Sequence, residues 1–376
     1  MLISINAAWN VANFRAGLVR ALVADGHEVI AAVVDDGAFP AVEALGARVV
    51  PLSMDNAGIS PLGDFLLFAR YVALFRRERP DVYLGWTIKP NVYGSIAAAL
   101  CGVPAINNIS GLGTAFLGAG WLMHVAGWLY RLGLRRSATV FFQNPTDRDL
   151  FVARRLVRVE QTALLPGSGI DGTVFDPARY PQTTSAAFRF LLVARLIRDK
   201  GVFEFVEAAR AIRTTHPAVR FQILGFLDVA NRTAIDRATL DGWVAEGLID
   251  YLGAANDVRP FLAQADCVVL PSYREGTSRV LLEAAAMARP AITTDVPGCR
   301  DVVRDGETGL LCRVRDAKDL ARAMGEMLER DDAARAVMGA AARYDILARF
   351  SEGEVIAHYR KVIANALRGQ VTSATH

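Results

Sequence analysis

Short apolar runs alternate with helix-period segments along almost the whole chain, and that alternation leaves few folds open. Strand-like runs at 3–6, 28–34, 48–52, 81–85, 103–107, 139–143 and 163–166 are mostly followed by amphipathic, helix-period stretches. Repeated βαβ units give this pattern, and they build a parallel, doubly wound sheet with helices on both faces. A stretch of proline, threonine and serine at 177–185 interrupts the series. It then restarts with runs at 188–195, 219–225, 249–253, 267–270, 291–294 and 309–313. The expectation is an α/β protein of two doubly wound halves, 1–170 and 171–350, followed by helix-forming residues at 351–376.

Composition removes several classes. A chain of 376 residues that is 52% apolar can build two large cores. Its net charge of +3 is too small to argue for nucleic acid, and it has no platform of interleaved aromatic and basic residues. Cys101, Cys267, Cys299 and Cys312 form no C-x-x-C pair and read as reduced core residues of a cytoplasmic protein. His27, His124, His216, His358 and His376 lack ligand spacing, so no metal site is expected. Residues 1–6 read as a strand with no basic region before it, and 11–24 as one amphipathic helix, so no signal peptide is expected.

The most informative segment follows the run at 267–270. Pro271 ends that run, and a turn, Ser272-Tyr273-Arg274-Glu275-Gly276-Thr277-Ser278, leads to Arg279, Val280, Leu281, Ala284, Ala285 and Met287 at helical spacing. The amides near Gly276 to Arg279 therefore open a helix, whose unpaired N–H donors and positive dipole end suit a diphosphate. Glu275 lies on the loop, where it can accept from sugar hydroxyls, and Glu283 lies inside the helix, where it can grip a ribose. On spacing alone, a solvated loop acid and a helix-face acid fit as well.

The surrounding residues carry a resemblance. Glu275 and Glu283 separated by seven residues, then Arg289-Pro290-Ala291-Ile292-Thr293-Thr294-Asp295-Val296-Pro297-Gly298 and Asp305-Gly306-Glu307-Thr308-Gly309, resemble the retaining family-4 glycosyltransferases of GT-B fold. A second family element is Val193-Ala194-Arg195-Leu196-Ile197-Arg198-Asp199-Lys200-Gly201. Only four of the 42 basic residues are lysines, Lys89, Lys200, Lys318 and Lys361, and one of them sits where this element wants it. The resemblance implies two Rossmann-like domains facing a cleft, with the last helix crossing back to the N-terminal one. It implies catalytic roles for Arg195, Lys200 and Glu275, with the two cations on the donor diphosphate. Gly276, Thr277, Ser278, Arg279, Val280 and Glu283 would hold the donor. A UDP-sugar would serve as co-substrate, without cofactor or metal.

In the N-terminal half, the segments from Trp9 to Arg15, Lys89 to Gly94 and Ile109 to Phe116 resemble the branch of the undecaprenyl-diphospho-bacillosamine galactosaminyltransferase and of capsular and exopolysaccharide transferases. That likeness implies a polyprenyl-diphosphate-linked glycan as acceptor, touched by Asn10, Asn13, Lys89, Asn91, Ser110, Gly111 and Gly113. For the glycines, plain loop geometry remains the alternative. Many family members carry a histidine after this strand, whereas the chain has Asn107-Asn108-Ile109-Ser110. The general base is thus unassigned, which favours same-face attack with the leaving phosphate taking the acceptor proton.

Between Lys89 and Arg131 only His124 can carry charge, and Trp121 and Trp128 precede Arg131, Arg135 and Arg136. Tryptophans beside arginines suit a peripheral contact with the inner face of the cytoplasmic membrane, and a core helix is the equal alternative. Two motifs fail. Gly111-Leu112-Gly113-Thr114-Ala115-Phe116 has Phe116 where a dinucleotide fingerprint needs glycine. Asp147-Arg148-Asp149 follows Pro145 and reads as a helix start capped by Thr146 with Asp149. The rivals to a transferase are a sugar-nucleotide epimerase or hydrolase on the same fold, and a silent nucleotide-sugar-binding scaffold.

Overall fold

A computed structural model describes residues 1–55, 60–111, 121–180, 187–227, 231 and 233–373. The chain divides into two compact units, Met1–Ser168 with Glu352–His376, and Gly169–Ser351.

The first unit is built on seven parallel strands: β1 (Leu2–Ile5), β2 (Ile30–Val33), β3 (Arg48–Pro51), β4 (Tyr83–Trp86), β5 (Ala105–Ile109), β6 (Thr139–Phe142) and β7 (Thr162–Leu164). Their order is β3-β2-β1-β4-β5-β6-β7. Both faces are covered, which is why the strands read as apolar runs rather than alternating ones. Helices α1 (Ala8–Phe14), α2 (Ala16–Ala24) and α3 (Phe39–Glu43) pack over Ile3, Val33 and Leu84. The C-terminal helix Glu352–Ser373 joins that layer through buried Val355, Tyr359 and Ile363, and Arg360 pairs with Asp25 at 2.6 Å. On the opposite face α4 (Pro61–Glu78) and α5 (Ser95–Leu100) cover Leu2, Ile30 and Tyr83, while α6 (Trp121–Leu134) and α7 (Pro145–Ala153) cover Ile109, Val140 and Phe142.

Two local expectations change here. The helix expected over 11–24 starts earlier, at Ala8, and breaks at Arg15, whose backbone leaves the helical region at φ −133° and ψ 8°. The buried Arg15 guanidinium lies 5.3 Å from the Trp86 ring centroid, a tertiary contact that periodicity does not contain. Helix α7 is capped by Asn144 rather than by Thr146 with Asp149. Asn144 Oδ1 accepts from the Asp147 amide at 2.8 Å, and Asn144 Nδ2 donates to Asp147 Oδ2 at 3.2 Å. Pro145 takes the first helical position, where no N–H is needed.

The second unit repeats the plan with β8 (Arg189–Val193), β9 (Arg220–Leu224), β10 (Asp250–Tyr251), β11 (Cys267–Leu270), β12 (Ala291–Thr294) and β13 (Gly309–Cys312), in the order β10-β9-β8-β11-β12-β13. Helices α8 (Val202–Arg213), α9 (Arg237–Ala245), α10 (Arg259–Gln264), α11 (Arg279–Ala286), α12 (Ala317–Glu329) and α13 (Asp332–Arg349) flank it. α8 and α12 share one core with Phe190 and Ile223. On the other face α11 and α13 bury Leu281, Leu282, Ala342 and Ile346. Ile170 and Phe175 belong to this second core, so the unit begins upstream of the proline-rich stretch. In both sheets the strand order reverses once, between β1 and β4 and between β8 and β11. Open parallel sheets bind ligands at the carboxyl ends of the strands beside such a reversal. No helix among the described residues is long and apolar enough to cross a membrane.

Candidate active site

In the second unit the loops after β8, β11 and β12 meet beside the strand reversal. β11 is fully buried, and after Pro271 the chain is fixed by main-chain and hydroxyl bonds. The Tyr273 amide donates to Asp199 O at 2.9 Å, Ser272 Oγ donates to the same carbonyl at 3.2 Å, and Thr294 Oγ1 donates to Ser272 O at 2.5 Å. Further along, the amides of Glu275 and Ser278 donate to Pro297 O at 3.3 Å and Gly298 O at 3.1 Å.

Two glycines make this closeness possible. Gly201 has φ +71° and Gly298 φ +79°, both in the left-handed region. A Cβ at Gly201 would overlap the Pro271 carbonyl, and one at Gly298 would overlap the carbonyls of Glu275 and Gly276.

This frame brings two expected residues together, with a third on the loop after β8. Lys200 Nζ donates to Glu275 Oε1, and both side chains are largely buried. Arg195 follows β8 and is exposed, and its side chain has no hydrogen-bond or ion-pair partner among the described residues. Ser278 occupies the N-cap of α11 without a side-chain cap, and Gly276, Thr277 and Val280 flank it. The Ser278 amide, one of those expected to face a diphosphate, is occupied by Gly298 O.

Glu283 and Arg279 lie one turn apart on α11, with Arg279 Nε donating to Glu283 Oε1 at 2.8 Å. Arg279 also donates to Gly169 O at 2.5 Å and sits 5.6 Å from the Phe175 ring centroid. Burial pushes the Glu283 carboxyl above the usual carboxylate range, the nearby Arg279 opposing the shift. Sequence reasoning missed the rest of this corner. Arg259 grips Asp257 with two bonds, of 2.7 and 2.9 Å, and lies 5.9 Å from Phe175 and 5.5 Å from Tyr180. Near Lys200, Tyr273 Oη donates to Glu204 Oε1 at 2.7 Å while Arg315 covers the tyrosine ring at 4.5 Å. The four cysteines are free, and burial pushes the Cys299 thiol up to about 12. Among the described residues no three His, Cys, Asp or Glu side chains are grouped to hold a metal.

The residues expected to meet an acceptor are dispersed within the first unit. Asn10 Nδ2 donates to Asn6 Oδ1 and Asn13 Nδ2 to Trp9 O, each at 2.9 Å, and both are part-buried on α1 beyond β1. Lys89 Nζ donates to Asp64 Oδ1 at 2.7 Å. Asn91 corrects the expectation. It is fully buried, accepting from Asn107 and donating to Asn108 O at 2.9 Å each, while Asn107 also bonds Ser95 and Ser137. Asn91 and Asn107 therefore form a hydrogen-bonded framework that ties the segment after β4 to β5, and no edge of Asn91 faces solvent. Ser110 is exposed and donates to Asn108 Oδ1 at 3.2 Å; Gly111 has φ +130°. Gly113 lies outside the described residues, as does the Trp121 side chain. On α6, Tyr130 and Leu134 are buried while Val125, Trp128, Arg131 and Leu132 face outward, Trp128 being 63% exposed, and Arg135 just beyond the helix is also exposed.

Comparison with known proteins matches these two units separately. Residues 11–167 match the family model of a glycosyl transferase 4-like domain, and residues 187–330 that of glycosyl transferases group 1. The N,N'-diacetylbacillosaminyl-diphospho-undecaprenol α-1,3-N-acetylgalactosaminyltransferase of Campylobacter jejuni is 24% identical over 96% of this chain and 98% of its own length. The capsular polysaccharide biosynthesis glycosyltransferase CapM of Staphylococcus aureus is 24% identical over 81% of each chain. The crystal structure of HepE from Anabaena in complex with UDP-glucose superimposes with a TM-score of 0.80 at 18% identity, covering 97% of this chain and 99% of that one. With a glycosyl transferase 4-like half, a glycosyl transferases group 1 half and two parallel sheets of this order, the chain belongs to the glycosyltransferases of GT-B fold.

Proposed function

We propose that the chain moves a sugar from a UDP-sugar to a polyprenyl-diphosphate-linked glycan in bacterial surface-glycan assembly, with retention at the anomeric carbon and without a metal. The observation that carries this reading is the Lys200–Glu275 pair on loops beside one strand reversal, with Arg195 on the loop after β8 and the start of α11 on the loop after β11. It is supported by the lipid-linked substrate in the name of the Campylobacter relative and by the UDP-glucose held by HepE.

Breaking a glycosidic bond to a diphosphate leaves negative charge on its oxygens. Arg195, Lys200 and the α11 amides would neutralise that charge from fixed positions, the arrangement that lowers a barrier most. Glu275 would accept from hydroxyls of the transferred sugar, and Glu283 from those of the ribose. With asparagines at 107 and 108 where many relatives carry histidine, the departing phosphate would accept the acceptor proton on the same face. Mass spectrometry of lipid-linked products after incubation with UDP-sugars and a membrane extract tests the reading. UDP-sugar consumed without any acceptor would favour an epimerase or hydrolase instead.

Glu283 sets a pH dependence. Its carboxyl is raised by burial, so the folded protein favours the protonated form, and the stability this contributes is lost as pH rises through the raised value. Ribose hydroxyls donate to the ionised form, so UDP binding should release a proton. Affinity should rise with pH from the ordinary glutamate range up to the raised value and then level off. Calorimetry in two buffers of different ionisation heat measures the release, which Glu283→Gln should abolish.

The outward face of α6 supports docking on a membrane surface. Trp128, Val125 and Leu132 offer apolar area, and Arg131, Arg135 and Arg136 each add about 1 kcal/mol of attraction to anionic lipid. Changing the three arginines together to glutamine should release the protein from anionic vesicles in sedimentation while leaving UDP affinity unchanged. Indifference of the unmodified protein to such vesicles at low salt would remove this contact.

A further inference from the structure

Lys200 has two carboxylates in its own part of the fold and is bound to only one of them. Glu275, on the loop after β11, accepts from its ammonium. Glu204 lies four residues downstream of the lysine, in the first turn of α8 beyond the left-handed Gly201. No ion pair joins Glu204 to Lys200 among the described residues.

Tyr273 is what holds Glu204. It stands two positions before Glu275, and its amide is fixed on Asp199 O at 2.9 Å, next to Lys200. From there its hydroxyl donates to Glu204 Oε1 at 2.7 Å, while the Arg315 guanidinium lies 4.5 Å from the centroid of its ring. Burial and the adjoining Glu204 carboxylate push the phenol above its ordinary value, so it remains a donor at neutral pH. The other carboxylate oxygen, Glu204 Oε2, is buried and has no hydrogen-bond partner. With Oε1 taken by the tyrosine and Oε2 buried, Glu204 offers the lysine nothing. A phenol bonded to a carboxylate is a charge-assisted contact, strong enough to fix a rotamer.

This matters because a lysine is a point charge on a flexible stem, with no planar fork to choose its partner. Bound to Glu275 it lies on the loop that leads into α11, where the diphosphate is assigned. Bound to Glu204 it would be drawn toward α8 instead.

We propose that Tyr273 is a positioning residue for Lys200: by holding Glu204 it denies the lysine its neighbouring acid and keeps the ammonium beside Glu275 and the diphosphate. What this placement achieves rests on the transferase reading above, whereas the choice of partner is a property of the chain that can be measured without a sugar.

A zero-length carbodiimide joins an amine to the carboxylate it touches, and a chain with four lysines gives few isopeptides to assign by mass spectrometry. The unmodified chain should yield Lys200 joined to Glu275, and Tyr273→Phe should move the link to Glu204. Turnover should fall about ten-fold in Tyr273→Phe, and adding Glu204→Gln should return it to within about two-fold of the unmodified chain, because the competing charge is gone. Loss of a merely structural hydrogen bond would not be repaired by altering its second partner. Should Tyr273→Phe fail to fold by circular dichroism, Arg315→Gly, at an exposed position whose φ of +58° suits glycine, loosens the ring and should move the link the same way. A link that stays on Glu275 in the variant, or turnover that Glu204→Gln does not restore, overturns the proposal. Absence of sugar transfer by the unmodified chain, with the link moving as expected, would sink the transferase reading and leave the partner choice standing.

Discussion

Replacing Arg195 or Lys200 with alanine should lower turnover by about two orders of magnitude or more, the cost of removing one preorganised donor from a site of developing charge. The two variants should differ in the ground state. The Arg195 side chain is exposed and has no partner among the described residues, so its loss leaves the apo site as it was. Lys200 is bound to Glu275, and its removal strands a largely buried carboxylate. Lys200→Ala should therefore also lower thermal stability, and Lys200→Ala with Glu275→Gln should recover that stability without recovering rate. Single-turnover kinetics with a UDP-sugar and differential scanning fluorimetry read the two effects. Near-normal turnover in both single variants would remove the diphosphate assignment.

The two acids should separate by assay. Glu283→Ala should weaken UDP binding about ten-fold or more by calorimetry, because it removes the ribose acceptor and leaves Arg279 without its partner on α11. Glu275→Gln should leave UDP affinity within a factor of about two and reduce turnover instead, since its partner is the sugar that UDP lacks. The reverse pattern would exchange or abolish the two roles.

Most of the fold was legible because buried parallel strands are apolar on both faces. The runs at 267–270 and 291–294 match β11 and β12 residue for residue, and every other expected strand is present within a few residues. Legibility ended where tertiary contact decides. The break at Arg15 comes with a contact to Trp86, and the Asn91 framework depends on Asn107 and Ser137, far away in sequence. The same limit explains the site. Glu275, Glu283 and Lys200 sit in local patterns and could be singled out, whereas Phe175, Tyr180, Asp257 and Arg259 reach α11 only through folding. Helix α13 went unread, although Met338, Ala342 and Ile346 are spaced at helical intervals; its exposed face is mostly alanine and includes Val337 and Tyr344, which weakens the contrast.

The loops that carry the candidate site rest on one another mainly through peptide groups: Tyr273 N on Asp199 O, Glu275 N on Pro297 O, Ser278 N on Gly298 O. Peptide bonds of this kind survive exchange of most side chains, so this part of the frame does not depend on which side chains the loops carry. Gly201 and Gly298 have no such freedom, because any Cβ there would push two loops apart. A lineage that alters its donor sugar could therefore rewrite the surface of this pocket while two positions without side chains hold its geometry constant.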